Sequence, residues 1–191
     1  MRRAQLTQSI KSFAIEAGFD RVGISPAIEP ANFDRFVDWI GQGHHGEMDY
    51  LETRREAYRH PEHVMPQTRS VMMLAMNYRS ATTSGAAEGY GRVASYAWGE
   101  SDYHDVIHAR LKQLCRQIRL LDESIAVRGV VDTAPLLERE FAQAGGLGWF
   151  AKNTMLINQQ LGSFFFLAAV LIDRELDYDS PHTQTHCGTC T

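Results

Sequence analysis

The chain has 191 residues, of which 44% are hydrophobic and 22% are charged, and its formal net charge is −4. These values are ordinary for a globular protein with a core of its own, and three cysteines are too few for a disulfide framework. The longest apolar run, Phe164–Ile172, is far shorter than the roughly 20 residues of a membrane helix, and the N-terminus lacks the apolar core of a signal peptide. We therefore expect a cytoplasmic protein with no membrane span, in which any nucleic-acid contact depends on local positive charge.

The first half of the chain predicts alternating helices and short strands. Amphipathic helices are predicted over 6–17 and 33–40, because apolar residues recur there at helical spacing and a glycine follows each run. Short strands are predicted over 21–24 and 71–76. The segment 80–91 is rich in Ser, Ala, Thr and Gly and is predicted to be a loop.

The second half predicts a long helix over 102–121 and a strand over 125–131. Pro135 is expected to open a further helix, which Gly145 and Gly146 close.

A hairpin is predicted near the C-terminal end, where residues 155–158 and 164–173 flank a five-residue turn. The polar tail from 174 to 191 is expected to be a linker. Because helices and strands alternate irregularly and one hairpin is expected, we predict an α+β fold, with helices flanking a mostly antiparallel or mixed sheet.

The tail contains a C-x-x-C motif, formed by Cys187 and Cys190. Two thiolates at this spacing can bind one metal, but tetrahedral sulfur sites need four ligands. We favour half of an iron–sulfur motif. A zinc site completed by His182 and His186, a redox dithiol and a pair without function remain alternatives.

Asp132 is the most informative carboxylate, because it ends an apolar strand. Desolvation favours the protonated form of such a carboxyl group, which could then act as a general acid. The structural alternative is a helix cap, since Asp or Thr just before Pro135 is a strong signal for a helix N-terminus.

The glycine-rich segment 145–154 also carries Lys152, Asn153 and Thr154. Its glycines would let the backbone approach a large flat ligand, or they would simply form a turn. The spacing does not match a phosphate-binding loop.

His104 lies in an Asp102-Tyr103-His104 segment that begins like the cobalt-ligating pattern D-x-H-x-x-G. Ile107 replaces the glycine, so the pattern fails. His104 and His108 share a helix face, but without an intervening glutamate they are poor evidence for a metal.

Several consecutive segments resemble the epoxyqueuosine reductase family in family order. They are His45–Tyr50, Met76–Tyr78, Tyr96–Gly99, Asp102–His104, Val131–Arg139, Ala144–Trp149, Lys152–Thr154 and Leu161–Phe164. Ser95 departs from the family, which often has arginine there.

The resemblance implies an oxidoreductase that reduces the epoxide of epoxyqueuosine in tRNA to queuosine, in queuosine biosynthesis. It implies cobalamin and 4Fe-4S clusters as cofactors, in a nitroreductase-like corrinoid-binding domain. A related corrinoid and iron–sulfur reductase acting on another substrate, resembling reductive dehalogenases, is the alternative, beside a zinc-stabilised interaction module.

The resemblance also implies roles for single residues. Asp132 corresponds to the proposed proton donor, and Cys187 and Cys190 correspond to the first cluster ligands. Cofactor contacts are expected from Tyr96, Lys152, Asn153, Thr154, Leu156, Gly162 and Ser163.

The implied organisation is a cobalamin-binding catalytic domain over 1–174 and, over 175–191, a linker with the truncated start of a ferredoxin-like domain. That truncated start could not hold a complete cluster, so the chain alone is expected to be inactive. The expected partners are the anticodon loop of queuosine-family tRNA and an external electron donor, with the protein a monomer.

Overall fold

The structure, a computed structural model, describes residues 1–79 and 88–189. Its strands are β1 (Arg21–Pro26), β2 (Ser70–Asn77), β3 (Val127–Val130), β4 (Trp149–Phe150), β5 (Leu156–Ile157) and β6 (Phe165–Ile172). Four of them form one sheet in the order β1-β2-β6-β3, in which every neighbouring pair is antiparallel. Strands β4 and β5 form a separate two-stranded antiparallel sheet.

The helices are α1 (Arg3–Glu16), α2 (Phe33–Gly41), α3 (Asp49–Thr53), α4 (Tyr103–Leu121) and α5 (Glu138–Ala144). Short 3₁₀ turns lie at Arg55–Tyr58, Pro61–His63 and Ser95–Ala97. No helix of the described residues is long and apolar enough to cross a membrane. The predicted α+β class with an antiparallel sheet flanked by helices is confirmed.

The two central strands are covered on both faces, which explains why they are apolar without alternation. Residues Val71–Ala75 of β2 are at most 1% exposed. One face packs against α1 and α4 through side chains such as Ile10 and Leu111. The other face packs against α5 and its flanking loops through side chains such as Phe141 and Leu136. This second face positions the candidate site.

The helix predicted from Pro135 begins three residues later, at Glu138, so that prediction was wrong in its start. The N–H of Leu136 donates to the carbonyl of Ala134 (2.8 Å), and the N–H of Glu138 donates to that of Leu136 (2.9 Å). These tight turns replace the first helical turn, because they bury the side chain of Leu136 in the second core.

The predicted hairpin was wrong in its pairing. Asn158 and Gly162 do close the turn through two backbone hydrogen bonds of 2.8 and 2.9 Å. The chain then diverges: β5 pairs with β4, whereas β6 lies between β2 and β3. Because β6 already has a partner along both edges, β5 must pair elsewhere.

The beginning of the tail is anchored on the domain. Leu176 is 1% exposed, and its N–H donates to the hydroxyl of Ser70. Asp179 accepts hydrogen bonds from the ammonium group of Lys11 (2.6 Å) and the backbone N–H of Ile24 (2.8 Å). The expected linker is therefore packed over its first residues, and the boundary after residue 174 stays a prediction. Most of the predicted loop over 80–91, and Cys190, lie outside the described residues.

Candidate active site

A cleft of about 1080 Å³ opens on the second face of the sheet. Its lining comes from α2, α3 and α5 and from the residues 131–137, which we call the Asp132 loop. The β4–β5 sheet and the start of β6 also contribute to it. The aromatic side chains around the cleft are Phe36, Trp39, Tyr50, Tyr58, Tyr103, Phe150, Phe165 and Phe166.

Asp132 follows directly on β3 and lines this cleft. Its backbone adopts φ +54°, a left-handed conformation that non-glycine residues seldom take. Its Oδ2 lies 3.2 Å from Nε2 of His104, so the carboxylate does not cap α5 and the cap interpretation was wrong. The side chain is 63% exposed at the cleft rim, so the apolar enclosure expected from the sequence is not found.

His104, near the start of α4, links Asp132 to a second carboxylate. Its Nδ1 lies 2.8 Å from Oδ1 of Asp102, which also caps α4 by accepting the N–H of His104. The hydrogen bonds from Asp102 and then from Asp132 raise the pKa of His104 above its usual value. The imidazolium form, whose two N–H groups would donate to the two carboxylates, therefore persists to higher pH. The sequence prediction considered His104 only as a metal ligand and missed this contact.

Glu138 is a second carboxyl group in the cleft, and it too was missed as a functional residue. Its Oε1 accepts the backbone N–H of Asp132 at 3.2 Å. Burial raises the pKa of Glu138 to about 7, although the N–H of Asp132 acts in the opposite direction. Glu138 therefore changes its protonation state near neutral pH, directly beneath Asp132.

Four of the predicted cofactor-contacting residues line the same cleft as Asp132. They are Lys152, Thr154, Leu156 and Ser163. Leu156 is buried and belongs to the second core, so it forms part of the cleft floor. Thr154 has φ +66°, and its carbonyl accepts a hydrogen bond from the guanidinium group of Arg139 (2.6 Å).

Three other predicted contacts lie beside the cleft or away from it. Asn153 and Gly162 are neighbours of lining residues but do not line the cleft themselves. The side-chain oxygen of Asn153 accepts the N–H of Met155 at 3.1 Å, as in an Asx turn. Tyr96 is 52% exposed in a 3₁₀ turn and is not among the described cleft-lining residues. The roles of all seven residues stay predictions.

The glycines of the 145–148 segment serve internal packing. A Cβ on Gly148 would lie 2.1 Å from the carbonyl oxygen of Ile157, and one on Gly145 would lie 2.9 Å from the backbone of Gly23. Gly146 has φ +78°. The turn interpretation of these glycines therefore accounts for them without a ligand.

Cys187 lies beside the cleft end that carries Lys152. The ammonium group of Lys152 donates to the carbonyl of Gly188 at 3.4 Å. The backbone N–H of Lys152 lowers the pKa of the Cys187 thiol, and polar contacts from Thr185 and Trp149 act in the same direction. Proximity of Cys187 to the cleft was not predicted, because the tail was expected to lead elsewhere.

The rings of His182 and His186 pack around Trp149, with centroids 5.4 and 4.9 Å from it. Within residues 1–79 and 88–189, no group of three or more His, Cys, Asp or Glu side chains could hold a metal. That part of the chain offers Cys187 alone as a cysteine ligand at this place, so it cannot by itself hold an iron–sulfur cluster.

The cleft is large enough for a macrocyclic cofactor. Its volume of about 1080 Å³ slightly exceeds the roughly 300–1,000 Å³ typical of small-molecule sites. Aromatic and aliphatic walls suit the faces of a large flat ring, while Lys152, Thr154 and Ser163 supply polar contacts along its edge. The residues present therefore fit a corrinoid.

The fold is shared with reductases of known structure. A B12-dependent reductive dehalogenase shares the fold with a TM-score of 0.54 at 18% identity. A selenomethionine-labelled epoxyqueuosine reductase shares it more fully, with a TM-score of 0.86 and 27% identity over 98% of this chain and 50% of that one.

Sequence comparison gives the particular family. The family model described as epoxyqueuosine reductase QueG, DUF1730 matches residues 59–133. The epoxyqueuosine reductase of Pseudomonas aeruginosa is 37% identical over 98% of this chain and 53% of its own length, and that of Escherichia coli is 36% identical over 97% and 50%. The chain is thus a relative of the epoxyqueuosine reductases over nearly its whole length, and it spans about half the length of the curated relatives.

Two further epoxyqueuosine reductase structures that resemble this chain were solved in informative states. One, at 26% identity and a TM-score of 0.80, is an epoxyqueuosine reductase with an epoxyqueuosine-modified tRNA stem loop. The other, from Bacillus subtilis, has 25% identity and a TM-score of 0.79, and its catalytic aspartate loop is swung out of the active site.

Proposed function

We propose that this chain is the corrinoid- and substrate-binding part of an epoxyqueuosine reductase, which reduces the epoxide of epoxyqueuosine in tRNA to the alkene of queuosine. The observation that carries the proposal is that Asp132, hydrogen-bonded to His104, lines the same large cleft as Lys152, Thr154 and Ser163. The relation to epoxyqueuosine reductases supports it.

The proposed cofactor is cobalamin, as in the B12-dependent dehalogenase that shares the fold. Bound cobalamin would supply the electrons to the epoxide, with clusters in the relatives' additional length as the proposed source. Leu156 and the aromatic walls would contact the faces of the ring, and Lys152, Thr154 and Ser163 would hydrogen-bond its polar periphery. The walls would also exclude water from the reacting carbon.

The reaction consumes two electrons and two protons, because the epoxide becomes an alkene and its oxygen leaves as water. The imidazolium of His104 would pass its Nε2 proton to Oδ2 of Asp132, 3.2 Å away, and Asp132 would deliver that proton to the leaving oxygen. Solvent would supply the second proton. The raised pKa of His104 favours the imidazolium form that this step needs.

The proposed substrate is the anticodon loop of tRNA, consistent with the relative that was solved with a modified stem loop. The cleft lining includes Arg35 and Arg139, whose guanidinium groups could contact phosphates, although the carboxyl groups of Asp132, Glu138 and Glu140 line it as well. Tyr50 also lines the cleft and is 52% exposed, so an unpaired base could stack on it. We also propose that the Asp132 loop can move, by analogy with the Bacillus subtilis relative, whose catalytic aspartate loop is swung out of the active site.

Product analysis tests the proposal. A full-length enzyme containing this chain, supplied with cobalamin and a low-potential reductant, should convert epoxyqueuosine in tRNA to queuosine, which nucleoside mass spectrometry detects. The alternative is a corrinoid reductase with another substrate, such as an aryl halide. Halide release without any queuosine formation would favour that alternative and contradict the proposal.

A further inference from the structure

The left-handed backbone conformation of Asp132 is one that neighbouring groups must stabilise. With φ +54°, its backbone lies in the left-handed region, which persists in a non-glycine residue only where the surroundings hold it. The turn that follows, in which the N–H of Thr133 contacts the carbonyl of Val131 at 2.5 Å, directs the chain away from β3. In this conformation Oδ2 of Asp132 lies 3.2 Å from Nε2 of His104.

Glu138 supplies that support from below the loop. Its Oε1 accepts the N–H of Asp132 at 3.2 Å, although the two residues are six positions apart in the chain. Glu138 is partly buried at the start of α5, whose Phe141 and Ala142 pack in the second core. Because α5 is held by this packing, the Glu138 carboxyl group connects the backbone of Asp132 to a well-packed helix. On the other side, the guanidinium of Arg54 donates to the carbonyl of Thr133 at 3.3 Å.

We propose that Glu138 is the positioning residue of this site: its carboxylate latches the Asp132 loop in the position that places the Asp132 carboxyl group against His104. The inference rests on the proposed function, because it assigns Asp132 the acid role. Glu138 need not touch the substrate, and it acts only through the backbone of Asp132.

The latch should depend on pH. Burial raises the pKa of Glu138 to about 7, and the ionised carboxylate accepts the N–H of Asp132 more strongly than the neutral acid. The charged groups that face it are Asp132 and Arg139, and Tyr58 and Tyr103 also sense its charge. Latching should therefore weaken as pH falls below about 7.

The test compares Glu138→Leu with Glu138→Gln in a full-length enzyme containing this chain. The leucine variant, which has no acceptor, should lower kcat roughly 10- to 100-fold with little change in KM for tRNA, because it misplaces a group that acts only on the reacting atoms. Glutamine keeps a neutral acceptor of the same shape, as the protonated acid does, so its kcat should lie between those of wild type at pH 8 and Glu138→Leu and should equal the low-pH value of wild type. The fall in wild-type kcat below about pH 7 should be absent in Glu138→Gln.

A second readout does not depend on turnover. At pH 8, exchange of the Asp132 amide hydrogen, measured by nuclear magnetic resonance, should be fastest in Glu138→Leu, slowest in wild type and intermediate in Glu138→Gln. Amides of the central strand β2 should keep their protection in both variants, which excludes a general loss of folding. Glu123→Leu, at an exposed glutamate in the loop after α4, is the control and should change neither readout.

Two results separate the latch from the acid role. If Asp132→Asn is inactive while Glu138→Leu matches wild type in kcat and amide exchange, the latch is refuted and the acid role stands. If Asp132→Asn keeps full turnover, the acid role fails, while the exchange measurement still decides whether Glu138 holds the loop.

Discussion

Replacing Asp132 with asparagine should lower turnover of the full-length enzyme about 10²- to 10⁴-fold, the usual contribution of a general acid. Asparagine keeps the size of the side chain and tolerates the left-handed backbone that Asp132 adopts. Its amide cannot deliver a proton to the leaving oxygen. Single-turnover kinetics on epoxyqueuosine-containing tRNA, with cobalamin binding followed by absorbance, would measure both consequences.

Cofactor and tRNA affinity should stay close to wild type in this variant, because the Asp132 side chain lies at the rim and is 63% exposed. Asp122→Asn is a matched control, since Asp122 lies just beyond the far end of α4 and should not affect turnover. Turnover within threefold of wild type would rule out Asp132 as the proton donor. Loss of cobalamin binding would instead assign Asp132 a structural role.

Glu138→Gln should stabilise the folded chain by up to about 2–3 kcal/mol at pH 8 and by much less near pH 5. The pKa of Glu138 is about 7 in the fold and near 4.5 when the chain is unfolded. Between these values the folded state binds more protons than the unfolded state, so the wild type loses stability as pH rises from about 4.5 to about 7. Glutamine has no charge to desolvate, so its stability lacks this dependence.

Urea unfolding of wild type and Glu138→Gln at several pH values between 5 and 8 would measure the difference directly. Glu123→Gln provides the control, because an exposed glutamate should leave the pH dependence unchanged. Parallel stability curves for wild type and Glu138→Gln would show that Glu138 is not desolvated. A buried carboxylate that costs stability is consistent with a functional reason for keeping it.

The sequence predicted those parts of the fold that follow from local periodicity. Helices α1, α2 and α4 and the central strand β2 lie where apolar spacing and flanking glycines place them. Pairing partners could not be predicted in the same way. The turn at Asn158 and Gly162 has the local signature of a hairpin, but the strand that pairs with β5 is set by the occupied edges of β6.

The site was also predicted only in part, because local sequence patterns do not reveal contacts between distant residues. The strand end at Asp132 was visible, but its left-handed φ and its exposure depend on the loop that follows. His104 lies 28 residues earlier in the chain and meets Asp132 only because α4 packs against β3. The one available signal was the Asp102-Tyr103-His104 segment, which was tested as a cobalt-ligating pattern and failed at Ile107.

Cobalamin binding with a blocked cleft tests the central claim most directly. Ser163 lines the cleft, whereas Gln160, three residues earlier, is exposed outside it. In a full-length enzyme containing this chain, titration with cob(II)alamin followed by absorbance should show one equivalent bound by wild type and by Gln160→Trp. Ser163→Trp should bind none or bind far more weakly. If Ser163→Trp binds cobalamin as tightly as wild type does, the cleft beside Asp132 is not the corrinoid site.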